Sequence, residues 1–224
     1  MGKESEHILI HHCLGQIAYN EALKLQHDFH ARVRSGELEA AILSLEHPKT
    51  LTLGKHATRD NLLLAPNQLE SQGVVLCQTD RGGEVTAHNP GQLVVYPILP
   101  IANLGLSPRR YVDILCASVI DTLSQYGIDS RQDEQFPGVW VGDQKICAIG
   151  VRISSRVSMH GLALNVNNAL DLFTAIVPCG IRHRGVTSMQ QLLAAPMDFQ
   201  KVRDTLVGLL AKNLGLQLRA LKSE

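Results

Sequence analysis

The 224-residue sequence predicts an α+β fold in which a mixed or antiparallel sheet carries flanking helices. Strand-like runs arrive in hairpin-like clusters, helical patterns fall between the clusters only occasionally, and no regular βαβ alternation develops. Internal repeats, low-complexity tracts and linkers are absent, so a single domain spanning residues 1–224 is expected. With 45% apolar and 19% charged residues the chain can build a sizeable core.

Each element has a local cause. Leu14, Ala18, Ala22, Leu25, Phe29 and Val33 recur at steps of three and four, which predicts an amphipathic helix over 14–35 with Gly36 ending it. Ala41–Leu45 and Thr50–Leu53 read as short strands on either side of Pro48, and Val74–Cys77 and Leu93–Ile98 as two more. Ser107-Pro108 is a capped helix start, followed at helical spacing by Val112, Leu115, Val119, Leu123 and Tyr126 up to Gly127. Val139–Val141, a Gly142-Asp143 turn and Lys145–Ile153 form a hairpin, to which Val157–Val166 pairs back through a turn at Ser154-Ser155. Asp198 caps a last helix with Phe199, Val202, Leu206, Leu209 and Leu210 on one face, and Leu214–Leu218 adds an edge strand.

Charge and cysteine usage exclude several functions. Lys plus Arg equals Asp plus Glu at 21 each, so no global field recruits nucleic acid or an anionic membrane. The start MGKESEHILIHH lacks a signal-peptide apolar run, no window approaches the ~20 apolar residues of a membrane span, and Ser5 sits one place short of a myristoylation motif. A cytoplasmic protein is expected. Five cysteines, an odd number with no two-residue spacing, argue against a disulfide framework or a zinc knuckle. His11-His12 and the one-face pair His27 and His30 invite a metal-site reading, but no acidic or cysteine partner completes a tetrahedral set nearby, so no metal site is expected.

Four places remain that could carry chemistry. In RGGEVTAHNPGQLVVYP, residues 81–97, glycines strip side chains where backbone could touch a ligand, and a loop would hold Arg81 and His88 at the rim of a sheet; an inert surface turn is the other reading. Neither a Rossmann nor a P-loop signature is present. Cys179, between Pro178 and Gly180, has a fixed entry and an uncrowded exit, and is the candidate nucleophile, whereas Cys13, Cys77, Cys116 and Cys147 sit in apolar surroundings that suit structural thiols. A thiol of pKa about 8.5 needs a cation or base beside it. Lys145, at the start of an apolar strand, is one candidate, although a strand-end lysine can also reach out to water. His160 and Asn165 interrupt another apolar strand, either as core polar residues or as part of a site.

Taken together these stretches resemble the lipoyl(octanoyl) transferase family. The resemblance rests on Arg81-Gly82-Gly83-x-x-Thr86-x-His88-x-Pro90-Gly91-Gln92 with Tyr96-Pro97, Gly138–Val141, Lys145-Ile146-Cys147, His160–Asn167 and Pro178-Cys179-Gly180, and covers roughly residues 45–190. Two positions depart from the family pattern. Asn89 replaces a glycine, with asparagine the next best residue at positive φ, and Ala148 stands where serine is common. The resemblance implies the catalytic fold of biotin and lipoate protein ligases, and transfer of an octanoyl chain from acyl carrier protein to a lysine of apo-lipoyl domains. Acceptors would be the E2 subunits of 2-oxoacid dehydrogenases and the glycine cleavage H protein. It implies no cofactor, and nothing demands more than a monomer. Cys179 matches the family's acyl-thioester nucleophile and Lys145 its dyad partner. The segments lining the acyl pocket match Arg81, Gly82, Gly83, Glu84, Val85, Thr86, Ala87 and His88, then Ala148, Ile149 and Gly150, and then His160, Gly161, Leu162 and Ala163.

The chemistry fits that assignment. Thioester exchange is nearly isoenergetic, attack by an amine then runs downhill, and an ammonium beside the thiol favours the thiolate. Rival readings are an ATP-dependent lipoate-type ligase, which needs no nucleophilic cysteine, a non-catalytic binder of carrier or lipoyl domains, and a hydrolase pairing Cys179 with His160 or His183.

Overall fold

Runs such as Ala41-Ile42-Leu43 and Leu93-Val94-Val95 have no polar face, so a sheet that holds them needs cover on both sides. A computed structural model, which describes residues 7–58, 61–176 and 184–220, provides that cover. In chain order the elements are β1 (Ile8–Gln16), α1 (Tyr19–Ser35), β2 (Ala40–Glu46), β3 (Thr50–Leu53), α2 (Pro66–Ser71), β4 (Val75–Gln78), β5 (Val85–His88) and β6 (Gln92–Ile98). There follow α3 (Pro108–Ser124), β7 (Arg131–Gln132), β8 (Gly138–Val141), β9 (Gln144–Ser154), β10 (Val157–Asn165), β11 (Gly185–Val186), α4 (Met189–Leu193), α5 (Phe199–Leu214) and β12 (Gln217–Ala220).

The large sheet runs β12-β1-β2-β6-β10-β9-β8-β7, with β11 paired to β9; β1 is parallel to β2 and β12, and β2 through β7 are antiparallel. A small sheet, β4-β3-β5, stands beside it. Strand alternation sorts the side chains of the large sheet. Ile42, Leu93, Val95, Leu162 and Leu164 pack with Leu115 and Val119 of α3 and Val202 and Leu206 of α5. Leu43, Val94, Tyr96 and Ala163 pack with Ala22, Phe29 and Val33 of α1. Leu51, Val85 and Ala87 of the small sheet close a third cluster with Leu69, Leu172 and Phe173.

The helix signals hold: the Ser107 and Asp198 side chains accept from Arg110 N and Lys201 N, and Gly36 ends α1 at φ 81°. The hairpin turn after β9 places Ser155 and Arg156 at φ 48° and 67°, the double left-handed geometry of a tight hairpin. The edge strand expected at 214–218 lies instead at Gln217–Ala220, because α5 runs on to Leu214 and Gly215 ends it at φ 69°. Three further expectations fail. Leu14 belongs to β1 and not to the first helix, because Gly15 at φ 61° and a register shift separate strand from helix, which starts at Tyr19. β1 itself was not foreseen, as its partners β2 and β12 are remote and His11-His12 breaks its apolar pattern. Residues 85–88, expected in a loop, are a strand pairing with Thr50–Leu53, and Arg81, His88 and Asn89 are buried. No helix among the described residues is long and apolar enough to cross a membrane.

Candidate active site

β8 accompanies β9 only as far as the Gly138–Ala148 pair. The loop before β5 meets β9 again at Val151, whose carbonyl accepts from Gly82 N at 3.0 Å. Across Ile149 and Gly150 that edge of β9 has no strand partner among the described residues. A cavity of about 250 Å³ lies there. Its walls are Gly82–Thr86 on one side and Ala148–Val151 with Gly161–Ala163 on the other, and Phe173, Val186 and Val112 close it. From Lys145 to Gly150 the strand runs about 17 Å, longer than an extended eight-carbon chain. The glycines bring the walls together: a Cβ on Gly150 would stand 3.0 Å from Gly82 O, and one on Gly54 only 2.3 Å from Gly83 O.

Lys145 lies at one end of the cavity and is 7% exposed, so it does not reach out to water. Its Nζ donates to Pro137 O at 3.2 Å and stands 4.9 Å from the centre of the Trp140 ring. The residues before β8 form this cradle. Asp133 Oδ1 accepts from Gln135 N and Phe136 N at 3.0 Å, Phe136 O accepts from Trp140 Nε1 at 3.1 Å, and Gly138 (φ 140°) leaves room for the lysine stem. Arg184 donates to Asp133 Oδ2 at 2.6 Å and lies over both Trp140 and Phe136. The Arg184 hydrogen bond, aided by the two backbone N–H groups, holds the Asp133 carboxyl well below the usual carboxylate range.

The opposite wall is held by a buried polar relay. Arg81 donates to Thr52 O, Gly82 O and Glu84 O at 2.7–2.9 Å and to the Thr52 hydroxyl. Burial pushes His88 well below the usual histidine range and keeps it neutral. The amide oxygen of Gln92, 2.8 Å from Nδ1, then places the ring proton there, so Nε2 accepts from Thr52 at 3.4 Å. Gln92 Nε2 donates to Ala87 O and to Asn165 Oδ1, and Asn165 Nδ2 donates to Thr187 O. The chain of bonds thus runs from the small sheet across β6 and β10 to the segment following β11.

His160 closes the far end in a strained conformation, φ 57° within a strand. Its backbone N–H turns to Gln26 Oε1 of α1 at 2.8 Å, and Nε2 donates to Asp80 Oδ1 at 2.9 Å. Burial lowers its pKa against the pull of Asp80, so the ring is neutral near pH 7. Burial alone would raise Asp80, but the His160 hydrogen bond and the Arg152 charge outweigh it.

The structure therefore brings Lys145 and fourteen of the fifteen expected pocket residues to one cavity. Ala87 is the exception: its side chain lies on the face of β5 opposite Thr86 and His88 and packs with Leu51 and Leu69. Cys179 lies outside the described residues. Among the other thiols, burial pushes Cys116 up to about 12 and Cys147 higher still, which leaves both unreactive, whereas Cys13 is exposed beside Arg203 and not in apolar surroundings. Asn89 is not at positive φ; that conformation belongs to Gly91 (φ 88°), and the Asn89 side chain donates to Ala169 O and accepts from Asn168 Nδ2. Sequence reasoning missed Tyr19, Tyr96, Val112, Phe173 and Val186 as lining residues, and Gln26 as a support. Tyr96-Pro97 was the only one of these with a signal, as part of the resemblance.

A mixed sheet covered by helices on both faces, with a narrow apolar cavity ending at a buried lysine, defines an α+β enzyme that takes a slim apolar group. The chain belongs to the family described as the lipoyl protein ligase A/B catalytic domain, whose model matches residues 18–211. It is 44% identical over 211 residues to an octanoyltransferase of Chloroflexus aurantiacus, covering 93% of this chain and 95% of that one. It is 38% identical over 213 residues to an octanoyltransferase of Caldicellulosiruptor saccharolyticus, covering 94% and 91%. Among solved structures, lipoate-protein ligase A bound with ATP shares the fold at a TM-score of 0.73 and 16% identity, covering 97% of this chain and 90% of that one.

Proposed function

We propose that the protein, acting as one catalytic domain, moves an octanoyl group from octanoyl-acyl carrier protein to a lysine of apo-lipoyl domains through a thioester on Cys179. The observation that carries this is the buried ammonium of Lys145 at the end of an apolar cavity sized for a slim chain. The octanoyltransferase relatives support the same reading.

In the first half-reaction the Cys179 thiolate attacks the octanoyl thioester carbon. The new C–S bond forms as the carrier's C–S bond breaks, and the carrier thiol takes up the proton released when Cys179 ionised. Lys145 favours the thiolate by charge. In the second, the acceptor lysine, as a free amine, attacks the acyl-enzyme. An amide bond forms, the enzyme C–S bond breaks, and the amine proton passes through Lys145 back to the thiolate. No ATP is consumed. Residues Gly82–Thr86, Ile149 and Leu162 exclude water from the chain, and the β9 edge at Ile149-Gly150, without a strand partner among the described residues, presents backbone groups to the acyl end.

The test is intact-mass spectrometry after incubation with octanoyl-acyl carrier protein. Wild type should gain one octanoyl group, Cys179→Ala should gain none, and apo-lipoyl domain should discharge the adduct. No adduct on wild type sinks the covalent route. Transfer of free octanoate that requires ATP would instead favour a ligase.

A further inference from the structure

We propose that Asp133, with Arg184 and the Trp140 ring, is a positioning residue that sets the geometry and the charge of Lys145. The inference rests on the reading of Lys145 as the partner of the nucleophile. Two independent connections link Asp133 to that lysine.

The first runs through the backbone. Asp133 Oδ1 takes the N–H groups of Gln135 and Phe136 and so folds the 133–138 turn. That turn presents Phe136 O to the indole N–H of Trp140 and Pro137 O to Lys145 Nζ at 3.2 Å. The lysine stem fits there because Gly138 has no Cβ; one would stand 3.3 Å from Lys145 Cε and 2.5 Å from Cys147 O. A shift of the turn therefore moves the ammonium's acceptor.

The second runs through charge. Lys145 Nζ and Arg184 Cζ lie 4.9 and 5.0 Å from the centre of the same Trp140 ring, so the two cations are less than 10 Å apart. Asp133 Oδ2 neutralises Arg184 at 2.6 Å and also holds Arg131 at 3.3 Å. Among the described residues, further ionisable groups on the elements packed here include Glu134 in the turn itself, Asp143 in the turn before β9, 3.8 Å from Arg184 Nε, Cys147 on β9, and Asp113 and Cys116 on α3. Among the described residues, Arg184 is the one other cation over the ring that Lys145 touches, and Asp133 is its short ion-pair partner. The strand pairing fixes this arrangement, since Gly185 and Val186 pair with Gln144 and Lys145, and Thr187 N donates to Lys145 O.

Two variants of opposite sign test it. Asp133→Asn keeps an oxygen for the two backbone N–H groups but leaves Arg184 only the longer 3.8 Å contact with Asp143, which disfavours the ammonium. Arg184→Gln removes a cation and favours it. In the pH profile of amide formation, from octanoyl-acyl carrier protein onto apo-lipoyl domain, the limb set by Lys145 should move down in Asp133→Asn and up in Arg184→Gln. Each shift should be about one pH unit. KM for the acyl donor should stay near wild type. Thermal unfolding of both variants, with Lys145→Ala alongside, completes the set. Profiles that superimpose on wild type, or that move in the same direction in both variants, overturn the proposal even if both proteins lose thermal stability. A Lys145→Ala enzyme with wild-type turnover removes the reading beneath it, and the proposal with it.

Discussion

Replacing Arg81 by alanine should destabilise the fold by several kcal/mol. Arg81 is 8% exposed, and its guanidinium bonds Thr52 O, Gly82 O, Glu84 O and the Thr52 hydroxyl. Glu84 O would keep Gly54 N, at 2.7 Å, and the Thr52 hydroxyl would keep His88. Gly82 O and Thr52 O lose a charged donor each, at about 1.5–3 kcal/mol apiece, and the vacated space adds to that. A total of about 3–5 kcal/mol corresponds, for a chain this long, to a Tm roughly 10 °C lower. Arg81→Lys keeps a charge but no fork, so it should recover less than half of the loss. Because the same loop docks on Val151, KM for the acyl donor should rise with the alanine variant. Scanning calorimetry and steady-state kinetics check both. A Tm within about 3 °C of wild type, or full recovery by lysine, would refute the reasoning.

Three further outcomes are expected. Burial lowers His47 to about 4, and the unfolded ring binds its proton nearer pH 6.5, so the unfolded state holds more protons between these values. Stability should therefore fall as pH drops from about 6.5 to about 4, by on the order of 3 kcal/mol from His47, with buried His88 adding in the same direction, as urea unfolding at several pH values will show. Gly161→Ala would place a Cβ 2.2 Å from Val95 O and 2.7 Å from Pro97 Cδ, breaking the β6–β10 pairing, so soluble yield and Tm should both collapse. Asn89→Gly removes the bonds to Ala169 and Asn168 and should cost about 1–2 kcal/mol while leaving kcat unchanged, since Asn89 lies outside the cavity.

Most helices and the central strands were legible because their signals are local. Ser107 and Asp198 cap through their own side chains, Gly36 takes a left-handed turn, and the Gly142-Asp143 turn closes a hairpin. β1 was hidden because its partners are β2 and, some 200 residues further on, β12, and no local pattern reports a pairing that distant. The 85–88 strand was hidden because burial of His88 and Arg81 depends on partners, Thr52, Gln92 and Asn165, which only the fold assembles. In the site, Lys145 drew attention as a charge in an apolar strand, and its burial follows from the Pro137 carbonyl and the Trp140 ring. The pairing of Asp133 with Arg184 carried no signal, for an acid and a base fifty-one residues apart look like solvated charges until strands β7, β8 and β11 gather them.

The relay from Arg81 to Thr187 has a consequence for how the molecule comes apart. Every link from Thr52 through His88, Gln92 and Asn165 is a hydrogen bond between buried groups, and each link joins a different segment of chain. Opening the small sheet alone would strand those donors and acceptors without water. Amides of β3 and β5 should therefore exchange with solvent only in the same rare event that releases β6 and β10, so the two walls of the cavity share one protection factor.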